Sequence, residues 1–287
     1  MNKTILYIMS DVRSGSTLLD NIFSNAPNTI SVGELHHLDS HLYKGKWGKT
    51  WNWTCTCGKS IIDCEFWKKV LDNLKEKKVK IENTSLKKIK KNDTETEKNK
   101  KKEFNEKVIK LINEIYDAIF EETDSDILID SSKHIEHGIE LYKTNKKYNI
   151  KIIYLKRDIR AVVLSKLKWA QKFGREKSSA YEILIRTKFH DIFLKQQIKK
   201  ILKEDIIQIK YEELSKKPQE IINKITEKFL LPHFEVPEYM DLTNSHTIGG
   251  TPSRFKKSKI KYDKNWEKRS KKMPFFHVLG KIVDSIL

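Results

Sequence analysis

Arginine is scarce in this 287-residue chain: seven arginines stand against 50 lysines. In so lysine-biased a sequence, an arginine marks a place where a rigid, two-pronged cation matters. Arg13, Arg157, Arg160 and Arg254 all fall in chemically distinctive segments, whereas Arg269 has no such context. Cysteine is scarcer still, and three thiols in this length exclude a disulfide framework. No apolar run reaches the roughly eighteen residues that a membrane helix requires. No basic stretch followed by a leader-type apolar region opens the chain, so a cytoplasmic protein without a membrane span is expected. The length suits one large or two small domains with a proper core.

A net charge of +18 invites a nucleic-acid reading, but the charge sits in two blocks. Residues 68–110 and 254–272 each carry a net +8, and the remainder is nearly neutral. The first block mixes both signs and is poor in aromatics, the pattern of solvated helix and loop rather than of a nucleic-acid groove. The second holds Phe255, Tyr262 and Trp266 and suits a position over an anionic ligand. No nucleic-acid partner is expected; an RNA-binding role rests on charge alone.

Also missing is a lysine. Thr4–Met9 is a short, β-branched apolar run that reads as a buried parallel strand. Leu18–Phe23 has helical spacing, and "SDVRSGST" joins the two. Such a strand–turn–helix aims backbone N–H groups and the positive end of a helix dipole at one spot, which favours an anion. Against the triphosphate-binding pattern G-x-x-x-x-G-K-[ST], Ser10 takes the first glycine's place and Gly15 the second. Ser16 replaces the lysine, Thr17 fills the last position, and the cation has moved to Arg13. Without a lysine to reach the β- and γ-phosphates, and without a carboxylate cluster for Mg²⁺, a kinase or nucleotide triphosphatase is the weaker alternative.

Further short strands are expected at Thr29–Gly33, Asp126–Asp130, Ile150–Leu155 and Asp205–Leu214, with helices from near Ile159 and over "PQEIINKITEKFLL". A long charged helix carries its apolar face in Val108, Leu111, Ile112, Ile115 and Ile119, and residues 44–67 read as an irregular, tryptophan-rich loop. Strands alternating with helices predict an α/β fold of three layers, α/β/α, P-loop-like, around a central, mostly parallel sheet. Lys133 then falls at the carboxyl end of a strand, where such sheets bind ligands.

Four motifs, in order across nearly the whole chain, make the sequence resemble the sulfotransferases that use 3′-phosphoadenosine 5′-phosphosulfate (PAPS). Arg13-Ser14-Gly15-Ser16-Thr17, with Leu18 following, matches the family's [KR]-S-G-[ST]-T loop, which holds the 5′-phosphosulfate. Arg157-Asp158-Ile159-Arg160 and Ser165 match R-D-x-R-x-x-x-x-S, whose first arginine and serine grip the 3′-phosphate. Tyr211–Leu214, "YEEL", is similar to the adenine-side motif, and Gly249–Phe255, "GGTPSRF", to the loop over the nucleotide, which implicates Ser253 and Arg254. The pattern is most similar to the branch shared by bacterial members and the tyrosylprotein sulfotransferases. There a glutamate after a glycine is the base, and Glu34 follows Gly33; Lys133 and Ser253 align with groups set against the sulfuryl. The resemblance implies one sulfotransferase domain over 1–287, with a charged helical insertion at 68–125 and a nucleotide-covering segment at 245–287.

Sulfuryl transfer resembles phosphoryl transfer, a loose in-line displacement governed by positioning and electrostatics. Arg13, Lys133 and the loop amides are placed to meet charge on the leaving phosphate oxygen, Glu34 to take a proton from a hydroxyl or amine. His36 and His37 are the rival bases. No metal is expected. Cys55, Cys57 and Cys64 read as structural thiols, with a redox or disulfide role as the alternative; a zinc site would want a fourth ligand, for which His41 is nearest in sequence. Residues 44–67 and 169–190 are expected to shape the pocket of a small, apolar or ring-bearing acceptor.

Overall fold

Five short apolar runs become five parallel strands, β1 (Thr4–Ser10), β2 (Thr29–Gly33), β3 (Ile127–Lys133), β4 (Asn149–Lys156) and β5 (Ile206–Lys210), in the computed structural model. They form one sheet in the order β2-β3-β1-β4-β5. The structure describes residues 3–43, 54–82, 86, 95–174, 178–242, 245–255 and 259–285. β1 is buried along its whole length, as the central strand of a sheet covered on both faces must be. Because side chains alternate across a strand, Ile5, Tyr7 and Met9 enter one core and Leu6 and Ile8 the other. Each such side chain contributes about 1.5–3 kcal/mol by leaving water.

The helices are α1 (Ser16–Phe23), α2 (Leu38–Leu42), α3 (Glu65–Glu76), α4 (Glu95–Glu121), α5 (Ile135–Thr144), α6 (Ile159–Lys172), α7 (Ala180–Ile198), α8 (Tyr211–Lys216), α9 (Pro218–Phe229), α10 (Asn265–Lys271) and α11 (Pro274–Ser285). α3, α4 and α5 cover the first face, where Val108, Leu111, Ile112, Ile115 and Ile119 of α4 are all buried. α1 and α9 cover the second through Leu19, Ile22, Phe23, Ile221, Ile222 and Ile225. A third core joins α6 and α7 to α10 and α11 around Trp266 and Phe276. The expected three-layer α/β/α fold is present, and every strand pair in it is parallel. Among the described residues no helix is long and apolar enough to cross a membrane.

Three elements depart from the expected bounds, the first being β3, which runs on past Asp130 to Lys133. The strand read over Asp205–Leu214 stops at Lys210, and Tyr211 opens α8. Glu212 and Glu213 in its first turn favour that helix end electrostatically. In the supposed irregular loop 44–67, α3 already begins at Glu65, while residues 44–53 lie outside those described. Of the charged stretch 68–125, residues 83–85 and 87–94 also lie outside, as do 175–177 of the expected acceptor segment.

At the carboxyl edge the ladders are irregular. Tyr7 pairs with Asp130 but Met9 with Lys133, so β3 gains a residue against β1; the β2–β3 register slips between Ser31 and Gly33. Bulges of this kind re-aim side chains at a sheet's rim, and here they set Glu34 and Lys133.

Candidate active site

Each strand delivers one residue to the same edge. Past the ends of β1, β2, β4 and β5 come Arg13, Glu34, Arg157 and Tyr211, and Lys133 ends β3. This is the crevice of an open α/β sheet, where chain connections diverge to opposite sides of β1.

The loop after β1 turns through two left-handed residues, Arg13 at φ 73° and Gly15 at φ 97°. Gly15 caps α1, whose N-terminus has no side-chain cap, so its first amides face the loop. A Cβ on Gly15 would stand 2.2 Å from Cδ2 of Tyr211, so the ring itself requires glycine there. On the ring's other contact, the Arg157 guanidinium lies 4.3 Å from the centroid. Arg157 also donates through Nη1 to the carbonyl of Arg13 at 3.1 Å, and Arg13 donates through Nε to Oγ of Ser165 at 3.0 Å. Thus Arg13, Ser165, Arg157 and Tyr211 form one unit with the loop. Burial and the neighbouring Arg157 charge both lower the Arg13 pKa. Neither arginine makes an ion pair among the described residues, and the buried Nε of Arg157 has no hydrogen-bond partner there. Two crowded guanidinium groups at a helix N-terminus are arranged for an anion carrying more than one charge.

Ser14, Ser16 and Thr17 are buried in the turn, and Leu18 is half-buried at the start of α1. The hydroxyl of Thr17 accepts from the Thr251 amide at 3.2 Å, which brings the 249–255 segment onto the loop. Within that segment Ser253 bonds Thr251, Oγ to Oγ1, at 2.6 Å. Arg254 is buried and donates to the Thr54 carbonyl at 2.7 Å, on the side of the cysteine loop. Burial pushes its guanidinium down to about 10, although Glu34 and Cys55 act in the opposite sense. Arg160 faces away from the loop: it pairs with Asp158 and lies over Trp266, fixing the start of α6.

On the other side of the loop, Lys133 donates to Oε1 of Glu34, and His37 Nε2 lies 3.5 Å from Oε2. Glu34 is buried, which by itself would raise its pKa; Lys133 and His37 outweigh burial and hold the carboxyl far below the usual carboxylate range. Lys133 sits at φ 69°, a strained backbone for a residue with a side chain. His36 packs against His37 with the rings tilted by 42° and 3.7 Å between centroids, and meets His134 edge-on at 4.3 Å. Burial and the surrounding imidazoles keep it neutral, well below the ordinary histidine range. Glu34, His36 and His37 have the composition of a metal-ligand set, but the Lys133 ammonium already on the carboxylate opposes a second cation.

Beneath these groups lie two buried carboxyls that sequence reading did not single out. Asp20 on α1 accepts from Ser31 Oγ at 2.6 Å, and burial raises it to about 7. Asp130 accepts from Tyr116 at 2.7 Å, and burial raises it to about 6.

The cysteines gather as a group, but the fourth residue beside them is His246 rather than His41. His41 is buried on α2. Sequence distance hides His246: its segment lies beside the end of β2 through a parallel bridge between Gly33 and Ile248.

The sheet is that of an open α/β fold, with a lysine-free loop, a second arginine and a tyrosine at one edge. A sequence profile of the sulfotransferase family matches residues 6–235, and the chain belongs to that family. Its fold is similar to that of the sulfotransferase domain from the curacin biosynthetic pathway, at 16% identity, 94% of this chain, 90% of that one and TM-score 0.52. It is similar also to the sulfotransferase domain of the Synechococcus PCC 7002 olefin synthase, at 18% identity, 92% of this chain, 87% of that one and TM-score 0.51. A search of curated protein sequences found no match.

Proposed function

We propose that the protein moves a sulfuryl group from PAPS to a hydroxyl or amine of a small apolar or ring-bearing acceptor. The observation that carries this reading is the pair of half-buried guanidinium groups, Arg13 and Arg157, set side by side over the β1 loop without an ion-pair partner among the described residues. That surplus of fixed positive charge suits a nucleotide with phosphates at both its 5′ and 3′ positions. In this reading the loop amides from Ser14 to Leu18 hold the phosphosulfate, and Arg157 with Ser165 holds the 3′-phosphate. Tyr211 flanks the adenine side, and Ser253 and Arg254 belong to the segment that covers the nucleotide.

The acceptor oxygen attacks sulfur in line as the bond from sulfur to the phosphate oxygen breaks. Charge growing on that oxygen meets Arg13 and the loop amides, which are fixed before reaction, and Lys133 once the donor is bound. Glu34 takes the acceptor's proton. The Lys133 ammonium that now holds Oε1 restrains Glu34 as a base, so Lys133 has to turn from the carboxylate to the sulfuryl oxygens when the donor arrives. One lysine thereby couples donor binding to activation of the base, and no metal is assigned to the transfer.

The test is incubation with sulfur-labelled PAPS and a metabolite extract, with ATP labelled in its terminal phosphate as the control. Label from PAPS in an organic product, made by the wild type and not by Glu34→Gln, is the expected result. Transfer from ATP alone would make the protein a kinase.

A further inference from the structure

Three thiols and an imidazole converge at a place the transfer chemistry does not use. Cys64 Sγ lies 3.7 Å from Cys55 Sγ and 3.3 Å from His246 Nδ1, and Cys55 Sγ is 3.6 Å from the same nitrogen. With Cys57, the four ligand atoms all lie within 4.8 Å of one another. A disulfide holds its sulfurs at about 2.05 Å. Tetrahedral zinc, with bonds of about 2.3 Å to sulfur and 2.0–2.1 Å to nitrogen, separates two sulfurs by about 3.8 Å and sulfur from nitrogen by about 3.5 Å. The Cys55, Cys64 and His246 spacings are those of the tetrahedron. We propose that Cys55, Cys57, Cys64 and His246 bind one structural Zn²⁺.

The surrounding chain is built as such a site. Cys55-Thr56-Cys57-Gly58 is a tight turn in which the Gly58 amide donates to the Cys55 carbonyl at 2.9 Å, and Gly58 takes φ 85°. Cys64 is the N-cap of α3, where the helix end favours a thiolate. Phe66 stacks on the His246 ring at 4.8 Å and 17°, which orients the imidazole, and Trp67 Nε1 donates to the His246 carbonyl at 2.8 Å, which fixes its backbone. Three thiolates and a neutral imidazole leave the zinc site with one net negative charge, and Arg254, anchored on the carbonyl just before Cys55, stands beside it. Cys55 and Cys64 are buried while Cys57 is exposed, which gives the ion an entry side. Four protein ligands leave no open position, so the role is structural rather than catalytic.

What the metal fastens is the catalytic edge. Residues 245–250 run between the cysteine turn and β2: Thr56 donates to the Thr247 carbonyl, Ile248 donates to Val32 at 3.0 Å, and Glu34 donates to Ile248 at 2.7 Å. The segment then packs Gly249 so closely on Glu34 that an added Cβ would stand 2.7 Å from the glutamate's own Cβ. Zinc would cross-link residues far apart in sequence and so hold the strap that presses on Glu34 and reaches Thr17.

Metal analysis of untagged protein, purified without chelator, is expected to find about one zinc per chain. Cys64→Ser and His246→Ala should each lose most of it, and His246→Cys, which keeps four ligands, should retain it. Cobalt put into stripped protein should show thiolate charge transfer and the intense visible bands of a tetrahedral site. Stripping should lower Tm, and zinc should restore it. Wild-type protein that holds no zinc after reconstitution would overturn the assignment, as would a Cys55–Cys64 disulfide in the active protein. Copper or iron in place of zinc would overturn the choice of metal. If Cys64→Ser fails to fold, the wild-type metal count and the cobalt spectrum still decide.

Discussion

The two sides of the β1 loop are balanced in opposite ways. Toward β4 and β5, Arg13 and Arg157 crowd together with only Ser165, a carbonyl and the face of Tyr211 as described partners. Toward β2 and β3, the Glu34 carboxylate already has the Lys133 ammonium on one oxygen and His37 beside the other. The first side has positive charge to spare; the second already pairs its charges. On the proposed reading the first side mainly binds the nucleotide and the second holds the base, so substitutions should separate affinity from turnover.

The largest effect is expected at Glu34. Glu34→Gln keeps the shape and removes the basicity, so kcat should fall by about 10²–10⁴-fold while affinity for 3′,5′-ADP changes little. His36→Ala and His37→Ala should cost less; a dead histidine variant beside an active Glu34→Gln would move the base to the histidine. Titration calorimetry and steady-state kinetics on the same preparations make the comparison.

Next comes Gly15→Ala, which should break the other side. The methyl would overlap the Tyr211 ring, and alanine is strained at φ 97°. Overpacking of this kind costs typically about 1–3 kcal/mol of stability, so Tm should fall, and nucleotide affinity should weaken as the loop is displaced. Gly15→Ala combined with Tyr211→Ala should recover part of the loss if the clash is with the ring, and none if only the backbone is at fault.

The smallest effect is on the pH dependence of stability. Asp20, raised to about 7, keeps a proton in the native state that the unfolded chain has lost above about pH 4. Folding therefore binds a proton in that window, and stability should decline as pH rises from about 4 to 7 and level off above. Asp130 acts in the same sense up to about 6. Glu34 acts oppositely, its contribution being lost only as pH falls below the ordinary carboxylate range. Asp20→Asn should flatten the slope in Tm against pH; an unchanged slope would place the titration elsewhere.

How much of this was legible before folding depended on where partners lie in sequence. The strands and the loop Arg13–Thr17 are local patterns, and β2 and the start of α6 fall where periodicity put them. The family followed from four such motifs. The pairing of Lys133 with Glu34 rests on two register slips at the sheet's edge, which no composition reveals. Tyr211 was read as the end of a strand because alternation and helix entry look alike over four residues. Asp20 looked like any polar residue on an amphipathic helix, yet it is fully buried beneath the loop. His246 lies beyond reach: nothing within the cysteine motif points 182 residues ahead, and proximity in sequence indicates His41 instead.

The central claim, that the guanidinium side recognises a 3′-phosphorylated nucleotide, is tested most directly by calorimetry of 3′,5′-ADP against 5′-AMP. A charge-assisted contact contributes about 1.5–3 kcal/mol, so the wild type should prefer 3′,5′-ADP by about tenfold or more, and Arg157→Ala should lose most of that preference. Equal affinities for the two nucleotides in the wild type would contradict the account.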